Sequence, residues 1–334
     1  MNDEYILEAE EVRRLFPVRG RGGFGRARKT VRAVDGVSLG LRQGEALALV
    51  GESGCGKSTL ASLLVGLEPP DAGRVRFLGQ DLAGLDGRGM KAVRRQMQMV
   101  FQDPYESLNP LMTVGEIVAE PLEVHGLGRN RAEQDQRVTL ALEEAGLTPA
   151  AHFISRLPQT LSGGQRQRVA IAAALALEPL VLVADEPVSM LDVSVRAEIL
   201  NLLARLRQER GISLLYIVHD LAVAACVADR LAVMYLGRIV ELGPTAAVLE
   251  RPLHPYTQAL LAAVPVPNPQ ARRERVVLPG EAPDATDLPS GCRFHPRCPL
   301  ARPECSRRSP VWREYGTAHG AECLLLDAPD PTAG

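Results

Sequence analysis

Aromatic residues make up only 4% of this 334-residue chain, and tryptophan occurs once. So thin a supply argues against a row of stacking platforms for nucleic-acid bases. Neither sign of charge dominates: 38 Lys and Arg stand against 40 Asp and Glu, a net charge of -2. A general nucleic-acid binder needs a basic surplus that is missing here, which leaves room only for local patches. No apolar run reaches the ~18 residues of a spanning helix. The longest, residues 169–184, is broken by Glu178 and Pro179. The opening MNDEYILEAEEV is acidic and lacks the basic-then-apolar order of a secretory signal. The expectation is a chain that is soluble or bound to a membrane peripherally. Six cysteines are too few and too unevenly placed for a disulfide-stapled scaffold.

What is present is ordinary for a folded protein, with 46% hydrophobic and 23% charged residues. The length suits one large domain with an appendage, or two modest domains. Residues 5–50 read as strands and turns, and ALALVG (Ala46–Gly51) is a short apolar run ending in glycine, as buried strands do. PVRGRGGFGRARKT (Pro17–Thr30) reads as a solvated loop, with a contact to anionic lipid or nucleotide as the alternative. Residues 103–165 change to helical patterning, with apolar spacing at Val138, Leu140, Leu142 and Leu147. LVLVAD (Leu180–Asp185) and SLLYIVH (Ser213–His219) bracket a helix near Val195–Arg210. Alternating strands and helices imply a parallel sheet. After about residue 250 the chain becomes proline-rich and irregular.

Three stretches carry chemistry. GESGCGKST (Gly51, Glu52, Ser53, Gly54, Cys55, Gly56, Lys57, Ser58, Thr59) fits G-x-x-x-x-G-K-[ST] between a strand and a helix. Its backbone would wrap phosphates, Lys57 would reach the β- and γ-phosphates, and Ser58 would ligate Mg²⁺. Cys55 reads as incidental within that loop. VLVADEP (Val181–Pro187) delivers Asp185 to the carboxyl end of a strand, where ligands bind in open α/β sheets. Asp185 would hold Mg²⁺, and Glu186 would act as general base toward an attacking water. LSGGQRQRVAIAAALA (Leu161–Ala176) sets two glycines and a serine at the mouth of a helix. Taken alone it is either a helix capped by Ser162 or an anion cradle on free N–H groups.

In order along the chain, GESGCGKST, MVFQDP, LSGGQ, VLVADEP, SMLD and His219 resemble an ABC-type ATPase over residues 1–250. The resemblance implies an α/β fold: a RecA-like P-loop NTPase core with an N-terminal antiparallel β region and a helical insert at about 103–165. It implies that Leu161, Ser162, Gly163, Gly164 and Gln165 bind the γ-phosphate of ATP held by a second subunit. It assigns Gln102 to sensing Mg²⁺, nucleotide and the membrane partner, Asp192 to the dimer seam, and His219 to the γ-phosphate switch. Phe16 falls where the family places an aromatic under adenine, which wants a π-face. Two departures bear on subunit contacts: Ala173 stands where arginine is usual, and Met190 where alanine is commoner.

Four cysteines, Cys292, Cys298, Cys305 and Cys323, crowd into the last 43 residues. In a reducing compartment such thiols suggest a metal site, zinc or iron–sulfur, with small buried residues as the bland alternative. RPLHPYTQALLAAVP followed by GCRFHPRCP resembles the C-terminal extension of oligopeptide and dipeptide ABC importer ATPases. That resemblance makes 251–334 an irregular extension and favours a [4Fe–4S] cluster over Zn²⁺ on the four cysteines. It implies ATP hydrolysis driving peptide import at the cytoplasmic face of a bacterial inner membrane. The implied partners are two permease subunits, a second ATPase or another copy of this chain, and an extracytoplasmic peptide-binding protein; no nucleic acid is implied. Nickel complexes, glutathione or another small solute are the alternative cargo. A non-transport ABC ATPase fits less well, because only about 100 residues separate the phosphate loop from LSGGQ and the chain has one cassette.

Overall fold

The computed structural model describes residues 5–18, 29–128, 130–264, 280, 283–316 and 318–327. Most of the basic loop at 17–30 lies outside the described residues. The chain divides into two units, one drawn from Met1–Ile6, Leu41–Ala46 and Phe77–Ile217, the other from Leu7–Gly40, Leu47–Arg76 and Val218–Gly334.

In the first unit, strands Met97–Val100, Val181–Asp185 and Ser213–Val218 run parallel, with Met97 opposite Val181 and Val181 opposite Ser213. VLVAD and SLLYIV are buried along their whole length. A parallel strand covered on both faces needs a continuous apolar run rather than alternation, and these sequences supply it. The helical insert contains Val114–His125, Arg131–Glu144 and Gly163–Leu175, which pack on one another. Their ends are written locally. Thr113 and Glu116 form a capping box, and Gly126 closes that helix at φ 64°. Asn130 accepts the Glu133 N–H at 3.0 Å. Val138 and Leu142 are buried, but Leu140 is half exposed. Two residues apart on a helix point to different faces, so Leu140 does not share the stripe expected for it.

In the second unit, Ala46–Val50 is buried throughout and runs parallel to Arg230–Tyr235, with Leu47 opposite Arg230. Arg230–Tyr235 returns as the antiparallel strand Arg238–Pro244. The C-terminal extension is less irregular than its composition suggests. Gly320–Ala321 pairs antiparallel with Arg238–Pro244, and Arg313–Glu314 pairs with Gly320–Ala321. Tyr5–Pro17 lies between Thr30–Arg42 and Ala72–Phe77 in the N-terminal sheet.

The scarce aromatics are concentrated where the extension meets its own unit. Tyr235, Tyr256 and Phe294 form one buried cluster, with ring centroids 4.7 to 5.4 Å apart. Tyr235 and Phe294 meet edge to face at 86°. Each such pair adds about 0.5–1.5 kcal/mol beyond the burial of its area. A polar staple lies nearby: the fully buried Glu241 accepts the N–H groups of Leu253 (2.8 Å) and His254 (2.9 Å) and faces His319 Nε2 at 2.9 Å. Burial pushes the His254 pKa down to about 3 and so keeps the ring neutral. Its Nδ1 is then an acceptor, taken by the Tyr256 N–H at 3.0 Å. Among the described residues, no helix is long and apolar enough to cross a membrane.

Candidate functional site

The glycine-rich loop of the second unit joins the buried strand Ala46–Val50 to helix Lys57–Leu64. Gly56 caps that helix at φ 107° with no side-chain hydrogen bond to the first turn, so the N-terminal amides stay available to an anion. Two glycines are dictated by crowding. A Cβ on Gly51 would lie 2.2 Å from the Met234 carbonyl oxygen, and one on Gly56 would lie 2.0 Å from that of Ala33. The Lys57 side chain folds back over the loop, and its ammonium donates to the carbonyls of Gly51 (2.8 Å) and Glu52 (3.0 Å). Lys57 is only 5% exposed, its ammonium also lies 4.0 Å from the Cys55 sulfur, and with no carboxylate among these partners it is set to receive phosphate. Ser53, Gly54 and Ser58 are exposed and Thr59 is half-buried. The Cys55 thiol is buried and burial raises its pKa, which keeps it inert. Phe16 is half-buried, and the Arg14 guanidinium lies 4.9 Å from its ring centroid, so one face of the ring is already occupied. His219 follows the end of strand Ser213–Val218 and is exposed.

The first unit carries the carboxylates. Asp185 ends its strand, buried at 5% exposure. Glu186 sits at φ 44°, the left-handed region, where a non-glycine residue is held at a cost of about 1–3 kcal/mol. Its N–H is held by the Ile217 carbonyl at 2.8 Å. The Gln102 amide donates to Glu186 Oε2 at 2.8 Å. Gln102 and Glu186, 84 positions apart in sequence, are thus brought together. Within this unit the oxygens of Gln102 and Asp185, and in the other that of Ser58, are hard donors of the kind Mg²⁺ takes.

The LSGGQ segment shows the cap of its first sequence reading. Ser162 Oγ accepts the Gln165 N–H at 3.3 Å, and Gln165 Oε1 accepts the Ser162 N–H at 3.1 Å, a capping box. Ser162 is exposed and Gly163 half-buried, so the helix mouth still opens outward. Gly164 is required for packing, since a Cβ there would come 2.5 Å from the Val195 methyl. Leu161 is buried beneath the turn. Asp192 starts helix Val193–Arg210 without spending its side chain on the cap. It is exposed, as are Met190 and Val193, the latter 80% exposed.

The four C-terminal cysteines lie within electrostatic reach of one another. Burial pushes the Cys323 pKa up to about 11, with a smaller contribution from charge coupling to Cys292, Cys298 and Cys305. Cys305 and Cys323 are buried, Cys292 and Cys298 half-buried. Yet among the described residues no three His, Cys, Asp or Glu side chains form a group able to hold a metal ion.

Sequence reading missed two residues of the phosphate loop's surroundings. Tyr256 Oη accepts the Glu52 N–H at 2.9 Å. Arg297 grips the Glu52 carboxylate with both terminal nitrogens, at 2.7 and 3.0 Å. Both stand in the C-terminal stretches RPLHPYTQALLAAVP and GCRFHPRCP, but 204 and 245 positions separate them from Glu52, and nothing in those stretches points to the phosphate loop.

Comparison with known proteins agrees with this layout. The family model described as ABC transporter matches residues 34–189. That described as the oligopeptide/dipeptide transporter C-terminal region matches residues 240–305. The chain is 47% identical to the oligopeptide transport ATP-binding protein OppF of Escherichia coli, covering 96% of each chain. It is 46% identical to the oligopeptide transport ATP-binding protein AppF of Bacillus subtilis, covering 97% of this chain and 98% of that one. Among solved structures it resembles a dimeric, post-hydrolysis ATP-binding cassette, MJ0796, bound to ADP and Pi. The TM-score is 0.63 at 30% identity, over 72% of this chain and 98% of the other.

Proposed function

The chain belongs to the ABC transporter ATPases of the oligopeptide import family, and from that premise we propose how its residues divide the work. It is an ATP-hydrolysing subunit that powers peptide import, which requires membrane permease partners and a dimer of ATPase subunits. Residues 1–250 serve as the nucleotide-binding domain, with the helical insert at about 103–165, and 251–334 as the extension. Gly51–Thr59 wrap the phosphates of ATP, with Lys57 against the β- and γ-phosphates. Phe16 offers its remaining face to adenine. Ser58, Gln102 and Asp185 would hold Mg²⁺, which would supply charge neutralisation for the transferred phosphate. Glu186 accepts a proton from the attacking water, oriented by Gln102. His219 faces the γ-phosphate. Leu161–Gln165 and Asp192 act across the dimer on the partner's nucleotide.

The observation that carries this reading is Glu186, strained at φ 44° and bonded to Gln102. Strain of that kind persists only where surrounding structure enforces it, and it gathers at working sites. The subunit attaches peripherally, and the cytoplasmic face is the one that gives it cellular ATP. Whether its partner ATPase is itself or a relative, and whether an extracytoplasmic peptide-binding protein delivers cargo, is read from co-purification. A tagged chain drawn from detergent-solubilised membranes is expected to bring two multi-spanning permeases and a second ATPase. Recovery of ribosomal or DNA-repair proteins without a permease would remove the transport reading.

The four thiols, Cys292, Cys298, Cys305 and Cys323, are proposed as ligands of a [4Fe–4S] cluster, with Zn²⁺ as the alternative. Their crowding in sequence and mutual electrostatic reach support it, and no part of ATP hydrolysis is routed through it. Anaerobically purified protein is expected to carry iron and a broad brown absorbance. Colourless protein holding zinc would select the alternative, and metal-free protein would end both.

A further inference from the structure

Beyond its own loop Glu52 is bonded by Tyr256 and Arg297, both from the C-terminal part of the chain and in the same unit of the fold. Its N–H goes to the Tyr256 hydroxyl, its carboxylate to Arg297, and its carbonyl takes a bond from Lys57. The Arg297 pair is two-pronged, at 2.7 and 3.0 Å, and the arginine side chain is almost fully buried. A forked guanidinium–carboxylate pair fixes direction as well as distance, which a lysine does not.

Arg297 is itself held still. It ends the 3₁₀ turn His295–Arg297, whose N-cap Phe294 is locked into the Tyr235–Tyr256 cluster. Its N–H bonds the Phe294 carbonyl at 3.0 Å. Before it, Arg293 reaches the Leu236 carbonyl and Asp35. The Cys292 N–H bonds the Cys305 carbonyl at 2.8 Å, closing the segment on itself. Gly291, at φ 69°, permits that closure, since a Cβ there would sit 2.4 Å from the Cys305 carbonyl oxygen. A rigid side chain is thus presented to the second residue of the phosphate loop.

The charge at that residue makes the contact more than a brace. Glu52 places a carboxylate in a loop built to surround polyphosphate, where a like charge works against binding. Arg297 covers that charge and fixes the loop beside Lys57. We infer that the C-terminal extension is part of the nucleotide site, with Arg297 a positioning residue that neutralises Glu52 and sets the phosphate loop for ATP. The inference rests on the ATPase reading and adds a second role for the extension.

The test uses the full chain in the assembled transporter and measures KM for ATP, kcat and thermal stability together, with equilibrium binding of ATP to the purified chain. Arg297→Ala is expected to raise KM and Kd for ATP about tenfold, the scale of uncovering one charge near a polyanion, with the smaller change in kcat. Arg297→Lys recovers part of the loss, keeping charge but not the fork. Removing the uncovered charge as well, in the double variant Arg297→Ala with Glu52→Gln, brings KM back toward the original value. A bracing role alone would lower the melting temperature and leave KM unrescued by Glu52→Gln. That outcome, or an Arg297→Ala variant with KM within twofold of the original, overturns the inference. Failure of the unaltered chain to bind ATP would overturn the ATPase reading itself.

Discussion

Glu186→Gln is expected to leave ATP binding intact and to slow ATP turnover by at least ~10²-fold, the usual scale of a general base. The substitution keeps the volume of the side chain and an oxygen in it. The 2.8 Å bond donated by Gln102 therefore has an acceptor after the change. The backbone at φ 44° is held by the Ile217 carbonyl and by the turn in which Ser189 bonds the Glu186 carbonyl, and neither contact depends on the carboxylate. What disappears is a group able to take a proton from water. The two measurements are steady-state hydrolysis in the complete transporter and equilibrium ATP binding to the purified variant. Near-normal turnover would remove Glu186 from the chemistry. Loss of binding together with turnover would mean the residue is structural.

The second large effect is at the phosphate loop. Gly56→Ala is expected to weaken ATP binding by at least ~10²-fold and to cost about 3 kcal/mol of stability. Two penalties coincide there. The backbone sits at φ 107°, outside the region alanine prefers, and the new methyl would lie 2.0 Å from the backbone oxygen of Ala33. A backbone carbonyl in a sheet does not move aside, so the loop must shift and take the open helix amides with it. Gly54→Ala is the internal comparison. Its φ of 77° carries the same conformational penalty, but a Cβ there meets nothing within 4 Å. It should lose only about 1–2 kcal/mol. Thermal melts and ATP binding of the two variants, measured side by side, decide the matter. Equal behaviour would mean that close approach to Ala33 does not shape the loop.

Much of the site was readable because its parts are local. GESGCGKST, LSGGQ and VLVADEP each need only a strand end, a tight turn or a helix start, and such features are set by neighbours in the chain. The buried strands announced themselves as unbroken apolar runs, and one helix start as Ser162. Leu140 was misjudged because apolar spacing at every second residue was read as one helical face. At Ser162 the cap is a matter of local geometry, whereas the anion cradle rests on the family resemblance of LSGGQ.

The amino-acid sequence determined the family, the order of its phosphate-binding and carboxylate segments, and the residue types at each. Those follow from short-range rules of backbone conformation and side-chain chemistry, which act within a few residues. Tertiary structure alone decided that Gln102 reaches Glu186, that Glu186 is held in a strained conformation with no glycine to announce it, and that Arg297 lies on Glu52. Among the described residues it brings no three His, Cys, Asp or Glu side chains into a metal-holding group. Gln102–Glu186 and Arg297–Glu52 each join distant positions within one unit, the latter beside the Tyr235–Tyr256–Phe294 cluster, and no periodicity or spacing along the chain encodes them.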